Sequence, residues 1–175
     1  MKKLSLDNFN QLMTDSSIKP RLKKELRFVT STENISDEEW HDRETLNITD
    51  RNGNKGVLLI ELDENLYIAP YELKTGIISS TTGKSQAVIC DLCKSWQSGS
   101  RSGSITFAID RTTNVSYLCC EDLKCSLHIR NQTNAGHISR TQLREDLSIE
   151  QRIDRFKSRL QMIVTKLDLT PVTLR

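Results

Sequence analysis

The residues best suited to chemistry are five cysteines that fall at two foci, Cys90 with Cys93, and Cys119 and Cys120 with Cys125. Zinc takes four thiolate or imidazole ligands in a tetrahedron. Two close pairs brought together by a hairpin supply that set, and clustering of this kind argues against inert core thiols. Cys90-x-x-Cys93 ends an apolar run, a hairpin follows, and the second group sits where the hairpin meets a helix. Knuckle, hairpin and ligand-bearing helix is the order of a treble clef. Three versions of the second pair complete the count: Cys120 with Cys125, Cys119 with Cys125, and Cys125 with His128. Four protein ligands leave no position for water, so the expected site is structural and binds one zinc ion.

Other chemistry finds little footing. A redox Cys-x-x-Cys needs a helix N-terminus in a βαβ context, whereas the flanks of Cys90 read as strand and loop. The three histidines, His41, His128 and His137, are placed by no motif beside a serine, cysteine or aspartate that would form a triad. Gly99 and Gly103 lack the strand-to-helix setting of a phosphate-cradling loop. A thiol enzyme using Cys119 is a weak third reading, because the cysteine left over from the zinc set suits a packed strand end. The expectation is a binding protein and not an enzyme.

The elements that must position these cysteines follow from periodicity. Residues 5–30 read as helical, with Leu6, Phe9, Leu12 and Met13 on one face, a break at Pro20, then Leu22, Leu26 and Val29. Residues 33–50 are acidic and polar, a loop or short helix pinned by Trp40. Val57–Leu62 and Leu66–Ala69 form a hairpin around Asp63-Glu64-Asn65, which Tyr71–Ile78 extends. Ser85–Ile89 is an approach strand for the first cysteines, and residues 97–103 read as a flexible loop. Strands at Ile105–Ile109 and Val115–Cys119 flank the turn at residues 110–114, a helix covers Glu121–Ile129, and residues 131–147 are a polar connector. In the last helix Ile149, Ile153, Phe156, Leu160, Ile163 and Leu167 hold one face, and Ser148 with Gln151 makes a capping box.

The fold class expected is α+β: N-terminal helices, a small antiparallel sheet, a treble-clef zinc finger and a long C-terminal helix. Two parts are expected, a helical segment with an acidic loop over 1–50 and a β-rich zinc-binding domain with its closing helix over 51–175. The chain has 175 residues, enough for one core. Residues 1–83 carry 11 Lys/Arg against 14 Asp/Glu, while residues 84–175 carry 14 against 9, so the second half suits an acidic partner or a phosphate backbone. No apolar run reaches the roughly 20 residues of a membrane span. Met1-Lys2-Lys3-Leu4-Ser5-Leu6-Asp7 has no apolar stretch behind its lysines. The expected location is the reducing cytoplasm, where clustered cysteines bind metal, and the expected state is a monomer.

One resemblance goes further. Val88-Ile89-Cys90-Asp91-Leu92-Cys93 and Leu118-Cys119-Cys120-Glu121-Asp122-Leu123-Lys124-Cys125-Ser126-Leu127-His128-Ile129-Arg130 resemble the bacterial elongation-factor-G-binding proteins. Their zinc domain is also known as the fibronectin-binding-protein C-terminal treble clef, and they include the fusidic-acid-resistance proteins. The helix opened by Leu147-Ser148-Ile149-Glu150-Gln151-Arg152-Ile153 resembles their closing helix, so the likeness covers about residues 55–168. By position it implies Cys90, Cys93 and Cys125 as zinc ligands. Anchoring on Asp122-Leu123 and Cys125-Ser126-Leu127 makes Cys120 the fourth, whereas anchoring on Tyr117-Leu118-Cys119 makes it Cys119; the longer downstream match favours Cys120. The resemblance also implies docking on elongation factor G and its release from the ribosome, with fusidic acid tolerance as one consequence. The resistance proteins carry a larger N-terminal helical bundle than the 30 or so residues available here. Candidate contacts are Arg130 and, on the closing helix, Arg152, Arg155, Arg159 and Lys166. A ribosome- or RNA-binding module is the second reading, with Trp96 as the aromatic available for stacking.

Overall fold

The computed structural model describes residues 1–14, 18–137, 139 and 145–172. Four short helices come first: α1 (Leu6–Leu12), α2 (Pro20–Glu25), α3 (Phe28–Thr32) and α4 (Asp37–His41). The stretch expected to be helical over 5–30 is thus divided. Pro20 has no N–H to give an earlier turn and opens α2 at its first position. Leu26 then turns extended, and the backbone N–H of Arg27 donates to the Thr49 carbonyl at 2.8 Å, tying the break to the sheet. Ser5 and Asn8 cap α1 reciprocally, and Phe9 stacks on Phe28 with ring centroids 4.7 Å apart. Trp40 sits on α4 and is buried, the anchor expected of it.

The sheet has five antiparallel strands in the order β1-β2-β3-β6-β7: β1 (Thr45–Thr49), β2 (Lys55–Leu62), β3 (Asn65–Thr75), β6 (Ser102–Ala108) and β7 (Asn114–Cys120). Between β3 and β6 a two-stranded ribbon is formed by β4 (Val88–Ile89) and β5 (Trp96–Gln97). β1 was not expected; it pairs with β2, Thr45 with Ile60 through Thr49 with Gly56. At that last pair a Cβ on residue 56 would lie 2.4 Å from the Ile48 carbonyl oxygen and 2.8 Å from Tyr71 Oη, so only glycine fits. Asp63 and Glu64, both with positive φ, make the two-residue turn from β2 to β3, the backbone that matches strand twist in a hairpin.

Both faces of the sheet are covered, which explains why Val57–Ile60 is a continuous apolar run. Leu46, Ile48, Val57, Leu59 and Ile68 face the N-terminal helices in one core. Leu58, Ile60, Tyr71, Ile105 and Phe107 face the second core, which holds all five cysteines and the buried stripe Phe156, Leu160 and Ile163 of α7 (Ile149–Lys166). The capping box of Ser148 and Gln151 is present at the start of α7.

The helix expected over 121–129 is shorter: α5 (Cys125–Ile129) follows a turn, and α6 (Asn134–His137) lies in the expected connector. Residues 138 and 140–144 of that connector lie outside the described residues. The loop expected over 97–103 is structured: Gln97 pairs in β5, Gly99–Arg101 form a 3₁₀ turn, and Ser102 opens β6. Gly99 serves close approach, since a Cβ there would lie 2.5 Å from the Ser85 side chain. Small and polar residues here read as a flexible loop, but Gln97 and Ser102 are buried with their side chains hydrogen-bonded.

Candidate metal centre

Two turns deliver the cysteines. Cys90 leaves β4, and the chain reverses through Lys94, whose φ of +59° is left-handed. The Lys94 N–H donates to the Cys90 carbonyl and the Cys90 N–H to the Ser95 carbonyl, both at 2.9 Å, and the Cys93 N–H points at Cys90 Sγ at 3.5 Å. On the other side Cys120 ends β7, Leu123 takes a φ of +52°, and Cys125 opens α5. Asp91 joins the halves: its N–H donates to the Leu118 carbonyl at 2.8 Å, and its carboxylate accepts from the Leu118 N–H at 2.9 Å. These two bonds hold the knuckle and the strand end in register.

The thiols of Cys90, Cys93, Cys120 and Cys125 converge within 4.8 Å of one another, and all four residues are buried. Cys90 and Cys125 sulfurs are 3.8 Å apart, Cys93 and Cys120 3.5 Å, and Cys120 and Cys125 4.0 Å. A tetrahedron built on Zn–S bonds of about 2.3 Å has edges of about 3.8 Å. The donor set fits one structural zinc ion, which these four residues would hold. Burial would raise the Cys93 thiol, but hydrogen bonds from Cys120, Cys125, Cys90 and His128 hold it well below the ordinary thiol range. A thiolate is thus favoured at that corner.

The other two versions of the second pair are not assembled. Cys119 belongs to the alternate face of β7, packed where a Cβ on Gly103 would lie 3.3 Å from its sulfur. Burial, with the charge of Cys90 beside it, pushes its thiol far above the ordinary range. His128 stands behind the cluster: Nδ1 is 3.2 Å from Cys120 Sγ, and Nε2 is 3.3 Å from Asp122 Oδ2. Burial disfavours its charged form, but Asp122 and Cys93 raise its pKa to about 9. A second chain supports the opposite corner, with Gln97 Nε2 donating to Ser95 Oγ at 2.9 Å and Ser95 Oγ lying 2.8 Å from Cys93 Sγ. Groups of this kind orient metal ligands and set their basicity. Sequence reasoning missed Ser95, Gln97, Asp122 and His128 in this role; the only available signal was their closeness in sequence to the cysteines.

The basic residues expected to meet a partner divide. Arg130 makes a fork onto Glu44 at 2.6 and 3.0 Å and also reaches the Ser126 carbonyl at 2.9 Å. Arg155 forks onto Glu145 at 2.9 and 3.1 Å, and Arg152 is buried beside them. These three are used within the fold. Arg159 and Lys166 are exposed.

The family model of the FBP C-terminal treble-clef zinc-finger matches residues 16–167, reaching well upstream of the cysteines into the N-terminal helices. No curated protein and no solved structure matches the chain. With the knuckle, the strand end and the helix start converging on four thiols, and the match running over most of the sequence, the chain belongs to the FBP C-terminal treble-clef zinc-finger family.

Proposed function

We propose that this protein is a zinc-stabilised binding module that docks on translation elongation factor G and aids its release from the ribosome, with fusidic acid tolerance as one outcome. The observation that carries this reading is the closed metal site. Four buried thiols complete the tetrahedron, so the ion has no free position for a substrate and serves to stiffen a surface. Family membership points the same way through the resemblance of the cysteine segments to factor-binding proteins.

The docking surface we favour lies where α7 meets the knuckle. Asp91, Leu92, Tyr117, Arg159, Met162 and Ile163 line a depression of about 190 Å³. Met162 is 59 % exposed and Leu118 40 % exposed, and Arg159 reaches over the Met162 sulfur at 3.9 Å. An exposed thioether beside a guanidinium suits a mixed apolar and acidic contact. Lys166 extends the charge along the same helix. The RNA reading has less support, because Phe107 and Phe156 are buried and Trp96 is half-buried, leaving few stacking platforms. Among the described residues no helix is long and apolar enough to cross a membrane.

Size-exclusion or pull-down of the zinc-loaded protein with purified elongation factor G tests the reading. A stable complex that Arg159→Glu with Met162→Asp weakens is expected. Absence of any complex at micromolar concentrations sinks the proposal.

A further inference from the structure

The two edges of the five-stranded sheet are finished differently. At β1 the Thr49 carbonyl accepts from the Arg27 N–H at 2.8 Å and the Thr45 N–H donates to Ser126 Oγ at 3.3 Å, so α3 and α5 close that side. At β7 the register settles which groups look outward. The Ile109 N–H donates to the Thr113 carbonyl at 2.9 Å and the Glu121 N–H to the Arg101 carbonyl at 3.0 Å, so the odd-numbered residues from 113 to 121 bond toward β6. Asn114, Ser116 and Leu118 therefore direct their backbone groups away from the sheet.

The knuckle meets Leu118, whose N–H and carbonyl are both taken by Asp91. Asn114 and Ser116 are exposed, and their backbone N–H and C=O groups bond no partner among the described residues. Natural sheets guard such edges with lysine, proline, a bulge or a covering element. β7 carries no charge and no proline, and its pairing with β6 runs unbroken from Ser102 with Cys120 to Ala108 with Asn114. Two successive outward residues thus offer four main-chain groups on an unguarded edge, a template onto which an extended segment adds.

The same edge borders the depression on α7. Tyr117 enters its lining from β7, Leu92 from the knuckle, and Met162 and Ile163 from the helix. At about 190 Å³ it falls below the roughly 300–1,000 Å³ of small-molecule clefts and suits a single apolar side chain. Residues directly opposite in an antiparallel pair place their side chains on one face. A residue added opposite Tyr117 would therefore send its side chain toward the depression, and one opposite Val115 would cover a side chain that is only partly buried. The residue between them would share the polar face of Ser116 and Thr106, whose hydroxyls lie 2.8 Å apart.

A second copy of this chain meets only half of these demands. With a twofold axis at Val115, Asn114 and Ser116 satisfy each other across the axis, but the polar Thr113 falls opposite Tyr117. With the axis at Ser116, Val115 falls opposite Tyr117, but Asn114 is set against Leu118, whose groups Asp91 already holds. A strand of different sequence can supply both the bonds and the apolar side chain.

We propose that β7 accepts an added strand from another protein: an extended segment, apolar at two alternate positions and polar between them, which bonds Asn114 and Ser116 through its main chain and seats one apolar side chain against Tyr117, Leu92 and Met162. The proposal rests on the reading that the depression on α7 is a docking surface, and not on the partner's being elongation factor G.

The test uses the zinc-loaded full chain and a capped, fluorescein-labelled peptide of alternating Leu and Thr with a Glu at each end, followed by anisotropy. One comparator is N-methylated at its threonines, whose N–H groups would face β7, and the other at its leucines, whose N–H groups would face away. The parent and the leucine-methylated peptide are expected to bind, and the threonine-methylated peptide to bind at least about tenfold more weakly. Ser116→Pro removes one outward N–H at a position where an edge strand tolerates proline, and is expected to weaken binding similarly with zinc content and circular dichroism unchanged. Equal affinity for the two methylated peptides overturns the proposal on the native chain alone. A concentration-dependent dimer in light scattering that Ser116→Pro abolishes, with no peptide binding, overturns it in favour of a second copy. Peptide binding without capture of elongation factor G upholds the strand site and sinks the factor reading alone. Factor capture by a native chain that binds no peptide overturns the strand site alone.

Discussion

His128 bridges Cys120 and Asp122: its Nδ1 lies 3.2 Å from the Cys120 sulfur, and its Nε2 lies 3.3 Å from a carboxylate oxygen of Asp122. The carboxylate fixes the ring, and the ring steadies one corner of the thiol cluster. All three come from the short segment that ends β7 and forms α5, so the second half of the metal site carries its own support.

If His128 supports the site without ligating the metal, His128→Ala and Asp122→Asn should retain one zinc per chain but bind it more weakly. Loss of such outer partners lowers metal affinity by about 10–100-fold. Competition with a chromophoric chelator measures this directly. Complete loss of zinc in His128→Ala would instead make the imidazole a ligand.

The two adjacent cysteines should behave oppositely. Cys120→Ala removes a corner of the tetrahedron and should release zinc and unfold the treble clef, because metal-binding free energy in such sites is folding free energy. Cys119→Ala should keep one zinc and cost on the order of 1 kcal/mol, typical of a small loss of packing. Zinc-loaded native protein should also resist rapid thiol modification, since Cys119 is buried with its thiol pushed upward. Metal analysis of the two variants decides between the sulfurs.

Much of this site was legible because its signals are local. The spacing of Cys90, Cys93, Cys120 and Cys125, the apolar stripe and capping box of α7, and the hairpin over 57–69 all act within a few residues. β1 was missed although Leu46 and Ile48 alternate with polar neighbours. Its acidic flank masked five residues whose inward pair is completed only by Val57 and Leu59 of β2 and the helices beyond. Gln97 and Ser102 misled for the converse reason, being polar residues whose partners, Ser95 Oγ and the Gly99 carbonyl, are supplied only once the chain has folded and buried them. The internal partner of Arg130 was the least legible: Glu44 is 86 residues away in sequence, and no spacing rule reaches that far.

That ion pair yields the last prediction. The side chains of Arg130 and Glu44 are only 13 % and 7 % exposed, and the guanidinium forks onto the carboxylate while also reaching the Ser126 carbonyl. Ser126 Oγ in turn accepts from the backbone N–H groups of Glu44 and Thr45, so the pair locks α5 to the start of β1. Removing one partner of a buried pair leaves the other charge uncompensated and costs about 3–5 kcal/mol. Arg130→Ala should therefore lower the denaturation midpoint sharply. Arg159→Ala, at an exposed position, should leave stability within about 0.5 kcal/mol while weakening capture of elongation factor G. If Arg130→Ala were as stable as the native protein and lost the factor, the arginine would belong to the contact surface and not to the frame. Denaturant melts and factor pull-downs on the same two variants separate those roles.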